Sequence, residues 1–243
     1  MKANVFFGIV FLIVSCLGSC VSREAHAVQN VTFKDTASIV KGSSFIIELV
    51  EKPWVKVDLS KLRAICEENG LQHPNIHQWK DHFVVFDTAS YAAGLESKIS
   101  TAFQGAVVKT YRNPFYEFNR SHCGNDPVAK VWDHVILTAN LVEDTVLQKE
   151  YMDYHATQFQ KWPEVSKGFC NANFQQLLVF RNGRQLMLVI SIPKGSSLDE
   201  LNPKTTENNP RVDDWNALMK KYQEGIEGTK PGEVWVFLEE VGK

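Results

Sequence analysis

The chain has 243 residues, of which 44% are apolar and 22% are charged, a composition typical of a folded globular protein that buries a sizeable core. Its formal net charge is -2, and no stripe of lysine and arginine runs through the sequence. A polyanion such as nucleic acid is therefore excluded as an expected partner.

The first 20 residues, MKANVFFGIVFLIVSCLGSC, predict a secretory signal, because one lysine precedes an apolar run too short to span a bilayer. The run ends in LGSC, which resembles the bacterial lipobox, whose cysteine is lipidated and becomes the new N-terminus. We predict a signal peptide over residues 1–19, a lipidated Cys20 and a polar tether over residues 20–43. Acyl chains would anchor the protein in the bacterial cell envelope, on the periplasmic or outer-membrane face. Cleavage after Ala27 instead would release a soluble protein.

Residues 44–117 predict a first domain with the order strand, helix, strand, strand, helix, strand. The predicted elements are FIIELVEK (45–52), DLSKLRAICEENG (58–70), NIHQW (75–79), HFVVF (82–86), TASYAAGLESKISTAF (88–103) and AVVKTYR (106–112). Asp58 or Ser60 would cap the start of the first helix, and Gly70 its end. This βαββαβ order is that of a ferredoxin-like split βαβ unit.

Residues 118–131 are polar, contain glycine and proline, and predict a linker. In residues 132–243 the same βαββαβ order returns. The predicted elements are HVILTANL (134–141), a helix from 143 to about 160, FQQLLVF (174–180), QLMLVISI (185–192), VDDWNALMKKYQEG (212–225) and EVWVFLEEV (233–241). Asn182-Gly183 between two apolar runs indicates a hairpin, and residues 193–210 indicate a loop.

The repeated order predicts an α+β fold of two tandem ferredoxin-like domains. A split βαβ sheet carries helices on one face only, so its other face must be covered. We therefore expect the two domains to pack sheet to sheet, as a pseudodimer within one chain, with the first domain in a covering role.

Several short motifs of the second half resemble the L-rhamnose mutarotase family. They are YMDYH (151–155), WPE (162–164), the hairpin LLVFRNGRQLMLVI (177–190) and Trp215, four residues before Met219. The members of this family are small dimeric α/β-barrel proteins of ferredoxin-like topology that interconvert sugar anomers. The resemblance extends over about residues 132–241.

The resemblance implies an isomerase acting on L-rhamnose or a related deoxysugar, with neither a metal nor a cofactor. It implies that His155 is the catalytic acid and base, with Tyr151 as its partner one helical turn earlier. Trp162, Phe180 and Trp215 are the implied substrate-binding residues. Phe180 stands where the family has a pocket tyrosine and so lacks its hydroxyl. An imidazole with a pKa near 6.5 exchanges protons readily at neutral pH.

Two other interpretations remain open from the sequence. The first is a non-catalytic carbohydrate-binding or structural lipoprotein on the same fold, in which Tyr151, His155 and Phe159 form an ordinary packing stripe of a helix. The second is another enzyme of the dimeric α/β-barrel superfamily, such as a small monooxygenase or a haem-handling protein. The sequence leaves further oligomerisation open.

The cysteines beyond the leader, Cys66, Cys123 and Cys170, match no zinc-type spacing. An exported chain could pair two of them, although three cannot all pair within one monomer, and we favour separate buried or idle thiols. The adjacent His122 and Cys123 also permit a nucleophile and its base, but such groups normally converge from separate segments, which disfavours this interpretation.

Overall fold

The computed structural model describes residues 44–88 and 94–241, and all of them belong to one compact unit. The predicted signal peptide (1–19), the lipidation site Cys20 and the tether (20–43) lie outside the described residues. In the described ranges, no helix is long and apolar enough to cross a membrane.

The first half follows the predicted order of strands and helices. Its elements are β1 (Phe45–Val50), α1 (Leu59–Glu68), β2 (Asn75–Trp79), β3 (His82–Asp87), α2 (Leu95–Ala102) and β4 (Val107–Arg112). Asp58 caps α1 as predicted, because its carboxylate accepts a hydrogen bond from the backbone N–H of Lys61 at 3.1 Å. The helix ends two residues before Gly70, whose φ of +91° needs a residue without a Cβ.

The second half also keeps the predicted order, with additional short elements. These are β5 (Tyr116–Asn119), a 3₁₀ helix (Arg120–Cys123), β6 (Trp132–Leu141), α3 (Thr145–Ala156), α4 (Gln158–Lys161), α5 (Pro163–Asn171), β7 (Gln176–Asn182), β8 (Gln185–Pro193), α6 (Leu198–Leu201), a second 3₁₀ helix (Asn202–Thr205), α7 (Pro210–Met219), a third 3₁₀ helix (Lys220–Tyr222), β9 (Gln223–Glu224) and β10 (Val236–Glu240). The hairpin predicted at Asn182-Gly183 is confirmed, and the predicted linker begins inside β5.

One predicted helix differs from the structure in an informative way. The sequence predicted a single helix from 143 to about 160, but α3 ends at Ala156 and two shorter helices follow it. Pro163 begins α5 at its first position, where its missing N–H is not needed and its fixed φ suits the helix. The proline therefore ends one helix and starts another.

All described strands join one antiparallel sheet in the order β4-β1-β3-β2-β10-β6-β8-β7-β5, with β9 paired to β6. β2 and β10 join the two halves edge to edge, with Gln78 opposite Glu239. Although six strands lie between β4 and β7 in this order, the Asn182 side chain donates a hydrogen bond to the Thr110 carbonyl at 3.1 Å. The protein is thus mixed α and β, and its sheet curls until distant strands meet. The predicted packing of two separate sheets face to face is not confirmed by this joined sheet and stays a prediction.

The curled sheet encloses a buried apolar cluster drawn from both halves, which we call the inner cluster. Its members are Ile46, Val84, Phe86, Tyr111, Ile136, Leu178, Phe180, Met187, Val189 and Leu238. The opposite face of the second half packs against α3, α5 and α7 in what we call the outer cluster. Its members include Tyr116, Phe118, Tyr151, Val165, Leu177, Val179, Leu186, Trp215 and Tyr222. Alternate residues of β7 thus serve different clusters.

A buried carboxylate, Glu48 of β1, ties the two halves together by polar contacts. It accepts hydrogen bonds from His82 Nδ1 at 2.7 Å, the Tyr111 hydroxyl at 2.9 Å and, across the halves, Gln185 Nε2 at 2.9 Å. Lys109 Nζ lies 3.4 Å away. Burial alone raises the pKa of Glu48, but the hydrogen bond from His82 and the charge of Lys109 outweigh it and lower that pKa. Glu48 is therefore a carboxylate at neutral pH.

The structure corrects the expectation of three separate thiols. Cys123 and Cys170 form a disulfide with 5.6 Å between their Cα atoms, so Cys123 cannot act as a nucleophile beside His122. The two sulfurs meet because the first 3₁₀ helix packs against α5, where Arg120 Nη1 donates to the Cys170 carbonyl at 3.2 Å. Cys66 is a free, buried thiol whose pKa burial raises to about 12.

Removing this disulfide with the double substitution Cys123→Ser and Cys170→Ser will lower the free energy of unfolding by about 2–4 kcal/mol, because the bridge closes a long loop in the unfolded chain. The two cysteines are 47 residues apart in sequence. Denaturant unfolding of both proteins measures the difference. Adding a reductant to the double variant should change nothing further, and equal stability of the two proteins would contradict the prediction.

Candidate active site

The side chain of His155 lies in the last turn of α3 and is only 8% exposed. Its Nδ1 lies 2.9 Å from the carbonyl oxygen of Tyr151, one turn earlier in the helix. A carbonyl oxygen only accepts, so Nδ1 carries the proton and Nε2 is left as the nitrogen with a free lone pair. The local helix geometry therefore fixes the tautomer of His155.

Burial lowers the pKa of His155 to about 4, and the hydrogen bond to Tyr151 offsets only part of this effect. The imidazole is consequently neutral at pH 7. In this state Nε2 is the basic nitrogen of the ring, and it can take a proton from a bound molecule and return it.

Four aromatic rings surround His155 and make its environment apolar. The ring centroids lie 4.2 Å away for Tyr151, 5.3 Å for Tyr116, 5.3 Å for Trp215 and 5.7 Å for Phe115. All but Tyr151 meet the imidazole edge to face, an arrangement that aromatic pairs favour. These rings remove the imidazole from water, which explains its lowered pKa.

The hydroxyl of Tyr151 is held by a short chain of polar side chains. Gln223 Nε2 donates to this hydroxyl at 3.2 Å, and Gln223 Oε1 accepts from Trp235 Nε1 at 3.1 Å. Burial raises the pKa of Tyr151 well above its usual value, so the hydroxyl keeps its proton. Because it accepts from Gln223, its own hydrogen is available to another acceptor.

Trp162 joins the same site through Trp215. The two ring centroids are 5.6 Å apart, and the guanidinium of Arg211 lies over the Trp162 ring at 3.9 Å from its centroid. The structure thus brings together four of the residues proposed from the sequence: Tyr151, His155, Trp162 and Trp215. Their proximity follows from helical spacing in α3 and from the packing of α7 beside it.

The structure does not bring Phe180 to this site. Its side chain is fully buried in the inner cluster, whereas the side chains of Leu177 and Val179 on the same strand point to the outer cluster. Because side chains alternate along a strand, the sheet itself separates Phe180 from His155. The proposed substrate-binding role of Phe180 in the His155 site is therefore corrected.

The side chains at the site that sequence reasoning missed include Phe115, Tyr116 and Gln158. Gln158 is fully buried, and its Oε1 accepts from the Tyr116 hydroxyl at 2.7 Å. The alternation of apolar and polar residues in YEFN (116–119) is typical of a strand and was the signal that could have revealed β5. The contact with His155 had no sequence signal, because it depends on the pairing of β5 with β7.

The low pKa of His155 predicts a stability that depends on pH. Between pH 6.5 and about 4 the unfolded chain binds a proton at this residue that the folded protein does not, so stability is complete above pH 6.5 and falls as the pH drops. The loss attributable to His155 should be about 3 kcal/mol at pH 4. Urea unfolding of the unmutated protein and of His155→Asn at pH 7 and pH 4 isolates the contribution of His155. If the two proteins lost the same unfolding free energy between these pH values, the prediction would be contradicted.

An antiparallel curled sheet, helices on its outer face and a buried histidine among aromatic rings define an α+β protein with a candidate proton-transfer site. Residues 134–242 match the model of the L-rhamnose mutarotase family. An L-fucose mutarotase from Xanthomonas campestris is 30% identical over 97 residues, which cover 40% of this chain and 75% of that protein. The chain belongs to the L-rhamnose mutarotase family, and the resemblance inferred from the sequence motifs is confirmed.

Other similar proteins are more distant. A UPF0734 protein from Dictyostelium discoideum is 29% identical over 87 residues, which cover 36% of this chain and 67% of that protein. A solved monooxygenase-like protein from Listeria innocua is 15% identical, with a TM-score of 0.41 over 82% of this chain and 95% of that chain. A haem-degrading enzyme from Listeria monocytogenes is 11% identical, with a TM-score of 0.39 over 82% of this chain and 99% of that chain.

Proposed function

We propose that this protein is a sugar mutarotase in which His155 transfers the protons. The observation that carries the proposal is the fixed tautomer of His155: Nδ1 donates to the Tyr151 carbonyl, so Nε2 is the ring nitrogen whose lone pair can accept a proton. The match of residues 134–242, which include His155, to the L-rhamnose mutarotase family supports this role.

Mutarotation requires one proton to leave the anomeric hydroxyl while another reaches the ring oxygen, so that the ring opens to the aldehyde and closes again on its other face. The neutral His155 accepts the first proton at Nε2. Tyr151, whose hydroxyl keeps its hydrogen, is suited to supply or orient the second. The steps reverse when the ring closes, so both residues return to their starting states, and the chemistry requires no metal or cofactor.

The proposed substrate is a monosaccharide of the deoxysugar class, such as L-rhamnose or L-fucose. Trp162 and Trp215 offer apolar ring faces to the C–H groups and methyl group of such a sugar. The similarity to an L-fucose mutarotase supports this class of substrate. Choosing between the two sugars requires the measurement described below.

We also propose that the two halves are tandem ferredoxin-like domains, residues 44–117 and 132–243, that form a pseudodimer within the chain. The order β4-β1-β3-β2 in the first half and β10-β6-β8-β7 in the second supports this, because each has its first and third strands at the centre.

The LGSC motif supports export and lipid anchoring at Cys20 in the bacterial envelope. Incorporation of labelled fatty acid, lost in Cys20→Ser, tests the anchor.

The test of the activity is magnetisation-exchange NMR between the α and β anomers of L-fucose, L-rhamnose and D-galactose, with protein that lacks residues 1–19. We expect exchange that rises in proportion to protein concentration for at least one deoxysugar. No acceleration with any of the three sugars would refute the mutarotase proposal. Sugar binding without faster exchange would instead favour the non-catalytic carbohydrate-binding protein.

A further inference from the structure

The segment from Phe115 to Cys123 lies upstream of the residues that match the family, yet it packs directly onto the candidate active site. Its strand β5 pairs antiparallel with β7, with Tyr116 opposite Val179. The backbone N–H of Phe115 donates to the Val179 carbonyl at 2.9 Å, which places its side chain at the start of this pairing. The site is thus bounded by a part of the chain that the family match does not include.

Two side chains of this segment form one wall around His155. Phe115 and Tyr116 meet the imidazole edge to face at 5.7 Å and 5.3 Å, with interplanar angles of 75° and 85°. Tyr116 is itself only 5% exposed, so its ring is buried together with the imidazole that it contacts. A ligand that reaches Nε2 of His155 must therefore fit beside these two rings.

The Tyr116 hydroxyl also links this segment to Trp162. It donates to Gln158 Oε1 at 2.7 Å, and Gln158 Nε2 donates to the Trp162 carbonyl at 2.6 Å. Gln158 is fully buried, so both of its polar atoms need these partners. The two hydrogen bonds therefore fasten β5 to the backbone between α4 and α5.

A stack of three rings continues from Tyr116 to the end of the segment. Phe159 lies parallel to Tyr116 with centroids 5.6 Å apart, and His122 lies parallel to Phe159 with centroids 4.0 Å apart. Cys123 follows His122 and is bonded to Cys170 of α5. Arg120, which donates to the Cys170 carbonyl, also pairs with Asp126 at 3.2 Å. The segment is thus fixed at its far end by one covalent bond.

We propose that residues 115–123 form a cover over the His155 site, fastened to α5 by the Cys123–Cys170 disulfide, and that Phe115 and Tyr116 determine which sugars fit beside His155. The role of Phe115 and Tyr116 in the choice of sugar rests on the proposed function. The cover rests only on the contacts of residues 115–123 with His155 and α5. Breaking the disulfide frees the far end of the cover, exposes His155 and weakens discrimination among sugars.

The first test measures the exposure of His155 without any assay of activity. The full chain is treated with diethyl pyrocarbonate, and the modification rate of each histidine is read by peptide mass spectrometry. We expect His155 to react at least about tenfold faster in the double variant Cys123→Ser and Cys170→Ser, because a released segment opens more often. The exposed His73 serves as the internal control and should react at the same rate in both proteins.

A dithiol reductant added to the unmutated protein provides the matched condition. It supplies two electrons and two protons that convert the disulfide into two thiols, and it is itself oxidised to a cyclic disulfide. The His155 rate should rise to that of the double variant, and the reductant should leave the double variant unchanged. If the disulfide is confirmed to be reduced and the modification rate of His155 does not change, the proposal that residues 115–123 cover the site is refuted.

The second test concerns the choice of sugar and compares Tyr116→Ala with Tyr116→Phe. The alanine variant should lower the ratio of kcat/KM between the preferred and the poorest sugar, whereas the phenylalanine variant keeps the ring and should preserve that ratio. Restoration by phenylalanine separates this effect from misfolding. Equal ratios in all three proteins would refute the specificity role. If the unmutated protein accelerates anomer exchange of no sugar, the proposed function fails. The modification rates of His155 still show whether residues 115–123 cover the site.

Discussion

Replacing His155 with asparagine will lower the catalysed rate of anomer exchange by about 10²–10⁴-fold, the usual contribution of a positioned proton-transfer group. The asparagine amide reaches the position of Nδ1 and can still donate to the Tyr151 carbonyl, which the imidazole does at 2.9 Å. It has no counterpart of Nε2, so only the proposed acid and base is lost. Magnetisation-exchange NMR at pH 7 measures the rate, and circular dichroism confirms the fold.

The matched control for this substitution is His73→Asn. His73 is exposed and has a φ of +53°, a conformation that asparagine adopts readily, so the variant should keep both the fold and the rate. A His155→Asn protein that exchanges anomers as fast as the unmutated protein would show that the protons move through another group. Tyr151 would then be the next residue to test as the proton-transfer group.

The substitution Glu48→Gln will lower the free energy of unfolding by about 3 kcal/mol, near the lower end of the range for breaking a buried ion pair. Lys109 then loses its counter-charge, one of the two oxygens that accept from His82 and Tyr111 is replaced by an NH₂ group, and that group brings donors of its own. The Lys109 side chain is 31% exposed and can turn partly to water, which limits the loss. Urea unfolding at pH 7 measures the change.

An exposed ion pair provides the comparison for Glu48. Lys149 and Asp153 of α3 form an i, i+4 pair whose side chains are 75% and 62% exposed. Lys149→Ala should change the unfolding free energy by no more than about 0.5 kcal/mol. If Glu48→Gln were equally mild, the contacts of Glu48 would not hold the two halves together, and the inner cluster and the pairing of β2 with β10 would have to do so.

The order of strands and helices was largely predictable, because hydrophobic periodicity and capping residues act over a few neighbouring positions. Asp58 as an N-cap and the Asn182-Gly183 hairpin are examples. The pairing of β2 with β10 was not predictable in this way, since Gln78 and Glu239 are far apart in sequence. The start of α5 at Pro163 was missed for a different reason: a proline both ends and begins helices.

The same distinction, between contacts set by neighbouring residues and contacts set by tertiary packing, applies to the candidate site. Tyr151 and His155 lie one helical turn apart, so local spacing was enough to place them together. Phe180 was placed in the wrong environment, because a strand of uninterrupted apolar residues does not reveal which face each side chain takes. The contacts of Tyr116 with His155 and of Cys123 with Cys170 depend on tertiary packing, for which this sequence offers no short motif.

The pairing of β2 with β10 has a consequence for folding. β2 has β3 on one side and β10 on the other, and β10 spans Val236–Glu240. If the first half folds before β10 has paired, the N–H and C=O groups along the open edge of β2 have no strand to bind. Such edges recruit strands from other molecules. Folding intermediates that lack β10 are therefore prone to associate with each other through β2.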